Sequence, residues 1–306
     1  VGGKWGSGFD HDLARKILQK GLEEGINFID TADVYEAGES EKAVGRLLKE
    51  TNDRIYVATK CGRQISPHVN EGYTPEVLRS YVEASLKRLD IEWIDLIQLH
   101  CPPTEVYYRP EIFGEFERLK TEGKILNMGV SVEKIEEAIK AIEFENVTSV
   151  QIIYNIFRQR PHEKFFKQAA EKNVGIIVRV PLASGLLTGK FTRDSKFEKG
   201  DHRFFNRSGE AFDKGETFSG VPYETGLEAV EELRKAVGDD VSLLDMALKW
   251  ILMKKEVSCV IPGASKVEQV PSNVVASGIQ DLNAQQLLEI DRIYEKYIKE
   301  HVHQLW

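Results

Sequence analysis

The feature that most constrains this chain is a repeated alternation of short apolar runs with longer amphipathic ones. The short runs are 27–30, 55–60, 93–100, 125–131, 149–155, 175–182 and 258–263. Their near-continuous apolar character suits parallel strands covered on both faces. Between them lie helical patterns at 10–24, 40–50, 75–89, 110–122, 132–143, 163–172 and 243–254. In the third of these, Thr74 can cap, Pro75 fits the first turn, and Val77, Leu78, Tyr81, Val82, Leu86 and Leu89 recur at helical spacing. Strand–helix alternation on this scale predicts an α/β fold with a parallel sheet. No Gly-x-Gly-x-x-Gly turn follows any run, which counts against a doubly wound dinucleotide-binding sheet and favours a (β/α)8 TIM barrel. Seven runs are found where such a barrel wants eight. The Gly-rich stretch 1–6 reads as a βα loop whose strand would precede Val1, so residues upstream of Val1 are expected. No charge run or low-complexity stretch divides the chain, and residues 1–306 are read as a single domain.

With 306 residues, 42% of them hydrophobic, the chain can bury a sizeable core without disulfide or metal staples. Lys plus Arg at 41 against Asp plus Glu at 49 gives a net charge of -8, which argues against a general nucleic-acid binder. Three cysteines, Cys61, Cys101 and Cys259, follow no metal-ligand or disulfide spacing and fit a reducing cytosol. No apolar run approaches the roughly 20 residues that span a bilayer, and Val1 to Asp10 lack a signal-peptide pattern. The expectation is a cytoplasmic protein with no membrane, nucleic-acid or metal partner.

In barrels of this type, functional groups gather where the strands end. Three runs end in an ionisable residue, Asp30, Lys60 and His100, and Tyr35 lies five positions beyond the first. An ionised Lys beside a phenol favours the phenolate and lowers its pKa, and a carboxylate holds that Lys charged. An imidazole can orient a carbonyl oxygen. Together they equip a site for general acid catalysis on a substrate that becomes an alkoxide. Here the chain resembles the aldo-keto reductases, on Ile29-Asp30-Thr31-Ala32-Asp33-Val34-Tyr35, Gly38-Glu39-Ser40-Glu41, Ala58-Thr59-Lys60 and Asp95-Leu96-Ile97-Gln98-Leu99-His100. The likeness runs from Trp5 to about Ala276. It implies an Asp–Tyr–Lys–His tetrad at Asp30, Tyr35, Lys60 and His100, a small carbonyl substrate, and hydride transfer from NADPH.

The resemblance also implies a dinucleotide site. Ser131 and Gln151 match the family's nicotinamide carboxamide ligands, although the Asn that often follows the Ser is Val132 here. Pro181, Leu182, Ser184, Gly185, Leu187 and Lys190 match the loop over the pyrophosphate, where glycine admits close approach and lysine neutralises phosphate. Arg179 stands where many members carry an aromatic that stacks on the nicotinamide; it either stacks there itself or pairs with a nearby carboxylate. Gly263, Ser265, Lys266, Gln269 and Asn273 match the adenosine segment at a strand-to-helix junction, with Arg203 on the adenine side, and Ser272 replaces a common Glu. Ser265 and Lys266 suit a 2′-phosphate, which is the reason to expect NADPH/NADP+ over NADH. Trp5 belongs to the same site by this likeness and is a pocket aromatic with Tyr107, Tyr108 and Trp306.

The segment 191–222 has no clear period and reads as a lid over the cofactor. Cys61 and Cys101 each follow a tetrad residue; they are either a redox pair or, more simply, two inert buried thiols. Two other functions fit the same residues. The potassium-channel β subunits resemble this chain too and would make it a non-catalytic NADPH-binding regulatory subunit. A barrel aldolase would instead use Lys60 to form a Schiff base.

Overall fold

Each apolar run becomes a strand of one parallel sheet in the computed structural model, which describes residues 8–238 and 241–306. The strands are β1 (Phe28–Asp30), β2 (Tyr56–Cys61), β3 (Ile94–His100), β4 (Ile125–Ser131), β5 (Val147–Ile153), β6 (Gly175–Arg179) and β7 (Val257–Val260). They pair in chain order, every pair parallel. The helices are α1 (His11–Glu23), α2 (Glu39–Glu50), α3 (Pro75–Leu89), α4 (Pro110–Thr121), α5 (Ile135–Ala141), α6 (Lys167–Glu171), α7 (His202–Phe205), α8 (Tyr223–Val237), α9 (Leu243–Leu252), α10 (Gln269–Gly278), α11 (Ala284–Ile293) and α12 (Lys299–Val302).

The sheet is strongly curled. Phe28 of β1 and Cys259 of β7 pack in one small cluster with Ala58, Leu96 and Ile177. Just above that cluster, Asp30 at the end of β1 accepts a hydrogen bond from Gln151 Nε2 of β5 at 2.8 Å. In a flat sheet, strands four places apart would be separated by about 19 Å. The fold is thus the (β/α)8 barrel type, with seven of its strands among the described residues. The expected strand before Val1 lies outside them, as do residues 1–7.

Side chains alternate along each strand, so the inward set is layered. The lower layer is the apolar cluster of Ala58, Leu96 and Ile177. Above it, Asp30, Lys60, Gln98 and Gln151 are joined by hydrogen bonds, and His100, Ser131 and Arg179 are the last residues of β3, β4 and β6. Gly129 on β4 lets two strands approach. A Cβ there would stand 2.8 Å from the Ser149 backbone oxygen.

Around the barrel, the main hydrophobic core runs from Ala14 to Trp306 without a break. α3 shows why the helices form and dock. Thr74 Oγ1 accepts the Val77 N–H at 3.3 Å, Pro75 opens the first turn, and Leu78, Val82 and Leu89 are buried. Two of the elements that differ from the sequence expectation have a clear local cause. The helix expected over 132–143 shortens to α5 because Glu137 accepts the N–H groups of Glu133 and Lys134, both at 3.0 Å, and starts the helix late. The run 175–182 stops at Arg179, since Val180 turns to a positive φ of 52°. Among the described residues, no helix is long and apolar enough to cross a membrane.

The segment 191–222 is not structureless. Besides α7 it has helical turns at Lys214–Glu216 and Phe218–Gly220. Buried Asn206 braces it, its Oδ1 accepting the N–H groups of Ala211 and Phe212. Asn155 Nδ2, beyond β5, donates to Ser219 Oγ at 2.8 Å, and Ser184 Oγ donates to the Glu216 carbonyl at 3.1 Å. The segment is therefore seated on the barrel mouth.

Candidate active site

The register sets the residues near the strand ends side by side. Lys60 stands opposite Gln98, His100 opposite Ser131, and Ser131 opposite Gln151. Tyr35 arrives from the turn after β1, where Glu36 and Ala37 take positive φ and Gly38 follows at 90°. The four tetrad side chains meet. Lys60 Nζ donates to Asp30 Oδ2 at 2.5 Å, to the Thr31 carbonyl at 2.8 Å and to the Tyr35 hydroxyl oxygen at 3.4 Å. The Tyr35 and His100 rings stand edge to face with centroids 5.9 Å apart. Lys60 is 1% exposed, while Tyr35 keeps 37% of its surface open, so the phenol spans from the buried ammonium to the cleft.

The electrostatics follow from burial. Desolvation alone would lower the Lys60 pKa, but the Asp30 carboxylate and the phenol outweigh it and hold the amine above its ordinary value. The Tyr35 phenol is raised by desolvation, which exceeds the downward pull of Lys60. The ammonium pulls the phenol down as expected, but burial outweighs it and the net shift is upward. His100 is pushed well below 6.5 by burial and by Lys60, Arg63 and Arg179, so its imidazole is neutral, and its buried Nδ1 has no hydrogen-bond partner among the described residues. A neutral ring can donate from one nitrogen and accept at the other. The charged Lys60 also lacks the free amine that a Schiff base needs, which weighs against the aldolase reading.

The residues expected to hold a dinucleotide line the same mouth. Gln151 Nε2 bonds Asp30 and, at 3.3 Å, Gln98 Oε1. Ser131 Oγ lies 3.5 Å from Cys101 Sγ. Arg179 is paired rather than free. Its Nη1 is 2.7 Å from Glu216 of segment 191–222 and its Nη2 donates to the Val132 carbonyl at 2.9 Å. The turn Ala183–Thr188 follows Pro181 and Leu182, with Ser184 and Gly185 in left-handed backbone and Leu187 buried. Lys190 is exposed beyond it. Arg203 reaches this turn, with Nη1 3.5 Å from the Ser184 carbonyl, and is clamped by Asp201 between Phe191 and Phe197.

At the junction of β7 and α10, Gln269 Oε1 accepts from Ser265 N at 2.7 Å, Ser265 Oγ at 3.3 Å and Lys266 N at 3.1 Å. Gly263 and Lys266 are exposed there, and Asn273 lies further along α10. Trp5 lies outside the described residues. The other candidate aromatics are placed differently from the expectation. Tyr107 is buried with its hydroxyl on the Ser131 carbonyl, Tyr108 is turned outward under Lys140, and Trp306 packs on Arg158 at 4.0 Å.

Several residues of the mouth carry no signal in the sequence motifs. Gln98 alone could have been found, because it lies two positions before His100 on the same strand face. Glu216 sits in a short turn of segment 191–222 and Glu133 just before α5, and no motif marks either. Cys101, Glu133 and Glu216 bring one ligand atom each within 4.8 Å of one another, but the carboxylates are already paired with Arg63 and Arg179. Burial raises both thiols, Cys61 well above its ordinary value and Cys101 to about 11, so neither is a thiolate near neutrality.

Comparison with known proteins matches this geometry. A model of the Aldo/keto reductase family covers residues 1–295. The chain is 30% identical to the uncharacterized oxidoreductase YqkF of Bacillus subtilis over 284 residues, 92% of this chain and 87% of that one. It is 28% identical to the fission-yeast (Schizosaccharomyces pombe) aldo-keto reductase yakc [NADP(+)], covering 84% of this chain and 75% of that one. It is 26% identical to the Escherichia coli NADH-specific methylglyoxal reductase, covering 96% and 92%. Among solved structures, the glycerol dehydrogenase AKR11B4 from Gluconobacter oxydans superposes with a TM-score of 0.78 at 31% identity, over 97% of this chain and 90% of that one. With its tetrad at the mouth of a parallel barrel and a family match over nearly its whole length, the chain belongs to the aldo/keto reductase family, a family of oxidoreductases.

Proposed function

We propose that this chain reduces a small aldehyde or ketone to the alcohol with NADPH, and that Tyr35 supplies the proton. The observation that carries the reading is the direction of the hydrogen bonds at Lys60. An ammonium has three donors and no acceptor, and all three are engaged, one on the Tyr35 oxygen. The phenol must accept from Lys60, so its own proton is left to point into the cleft. A carbonyl oxygen placed there receives that proton as charge builds on it, while Lys60 stabilises the phenolate left behind. Neutral His100 orients the same oxygen by donating one N–H. Asp30 keeps Lys60 charged and in place.

The dinucleotide is the partner these residues fit. Three donors converge on Gln269 Oε1 at the start of α10, an arrangement that equally suits a phosphate oxygen, and Lys266 stands beside it. Ser131 and Gln151 present a hydroxyl and an amide at the barrel mouth for a carboxamide. When bound, NADPH would supply the hydride that goes to the carbonyl carbon. The relatives' names divide on the nucleotide, one naming NADP(+) and another NADH. The 2′-phosphate preference rests on Ser265 and Lys266. The expected place of action is the cytoplasm.

The test is Tyr35→Phe. It should bind NADPH as the native protein does and lose turnover about a hundredfold or more in a carbonyl screen followed by NADPH absorbance. Near-native turnover would rule out the acid assignment.

A further inference from the structure

Beside Asp30 and Lys60 inside the barrel stands a side chain that the tetrad does not explain. Gln98 is wholly buried inside the barrel on β3, directly opposite Lys60. An amide in such a place is unfavourable unless its polar atoms are bonded. Here both ends are used: Nε2 donates to Asp30 Oδ1 at 3.2 Å, and Oε1 accepts from Gln151 Nε2 at 3.3 Å.

The direction of these bonds is dictated rather than chosen. Lys60 keeps Asp30 a carboxylate, which can only accept. Gln98 must therefore turn its NH2 toward Asp30, which leaves its carbonyl oxygen facing Gln151. Gln151 must in turn present its NH2 to that oxygen and to Asp30 Oδ1, at 2.8 Å. Both N–H groups of Gln151 are then spent, and its Oε1 is the end left over. Gln151 can offer a ligand an acceptor and nothing else.

We propose that Gln98 is a positioning residue that passes the polarity of Asp30 to Gln151. One carboxylate then fixes both the ammonium that backs the acid and the orientation of the carboxamide on the dinucleotide. A nicotinamide carboxamide would have to meet Gln151 with its NH2, which selects one of the two ways its amide can face. This inference rests on the NADPH-dependent reading above.

Two variants test it, Gln98→Leu and Gln98→Glu, assayed in the full chain with NADPH and para-nitrobenzaldehyde. Gln98→Leu should keep the carbonyl KM within about twofold and lose kcat about tenfold, because misorientation acts on the reacting geometry more than on binding. Gln98→Glu cannot donate to Asp30 while ionised, so it should be the slower of the two at neutral pH. As pH falls and its carboxyl gains a proton, it can donate again. Its kcat relative to native should therefore rise, while the Gln98→Leu ratio stays flat. Native kcat in Gln98→Leu, or a Gln98→Glu ratio that ignores pH, overturns the proposal.

A crystal structure of Gln98→Leu reads the same point without turnover. Gln151 should rotate off Asp30, and an unmoved Gln151 overturns the relay. A native protein that bound no dinucleotide would instead sink the proposed function, and the Gln151 rotamer would still decide the role of Gln98.

Discussion

Asp33 stands two positions before Tyr35, 1% exposed, with the Glu41 carboxylate as a neighbour. Burial, reinforced by Glu41, pushes its carboxyl to about 7 against the weaker pull of Gln64 and Arg88. The unfolded chain would release this proton near pH 4 and the folded chain only near 7. Stability on this account is highest below about pH 4 and falls as pH rises to 7, because the fold holds a proton that the unfolded state has given up. Asp33→Asn removes the titration. Urea unfolding should then show the variant gaining on the native protein between pH 4 and 7, by at most about 4 kcal/mol. A constant difference across that range would mean that Asp33 is ionised in the fold at low pH as well. At this scale the sequence is legible only where a residue ends a strand. Asp30, Lys60 and His100 follow from alternation, and Gln98 shares their face. The burial of Asp33 depends on how the following turn folds back over α2, and no pattern of residue types records that.

At the scale of elements, the seven strands and the helices beside them are legible because short, near-continuous apolar runs alternate with longer stretches of 3.6-residue period. The reading stops short of α8, α10 and α11. α8 has its own signal in Leu227, Val230, Leu233 and Val237, all buried at helical spacing. It follows a long stretch without period, and there the eye loses the alternation. The segment 191–222 reads as a lid, but its internal order leaves no periodic signal in the sequence. Its order comes from contacts with the barrel, above all the Arg179–Glu216 pair, whose side chains are largely buried. Removing one member of such a pair strands the other. Glu216→Gln should destabilise the protein by about 3 kcal/mol in denaturant unfolding. The cleavage of segment 191–222 by protease should quicken with it. A variant as stable and as resistant as the native chain would show that the pair does not hold the segment down.

For the whole molecule, the residues proposed to hold the dinucleotide come from separate parts of the chain. Ser131 ends β4, Gln151 lies near the end of β5, the turn Ala183–Thr188 follows β6, and Ser265 and Lys266 follow β7. A ligand that touches all of them ties half the barrel together, and binding to the fold alone raises stability with ligand concentration. NADPH at about a hundred times its Kd should add roughly 2.7 kcal/mol, seen as a rise in Tm. NADH at the same concentration should add less, and Lys266→Ala should narrow the gap between the two. Equal shifts with both nucleotides in the native protein would remove the case for a 2′-phosphate site.

The far end of the chain bears on the same motion. Trp306 lays its ring over Arg158, and its indole N–H donates to Asp213 of segment 191–222 at 3.1 Å. If that segment lifts, the indole loses its acceptor Asp213 and meets water, which would alter its emission. The opening of the cleft can therefore be timed by stopped-flow fluorescence with no label attached, and Trp306→Phe supplies the blank.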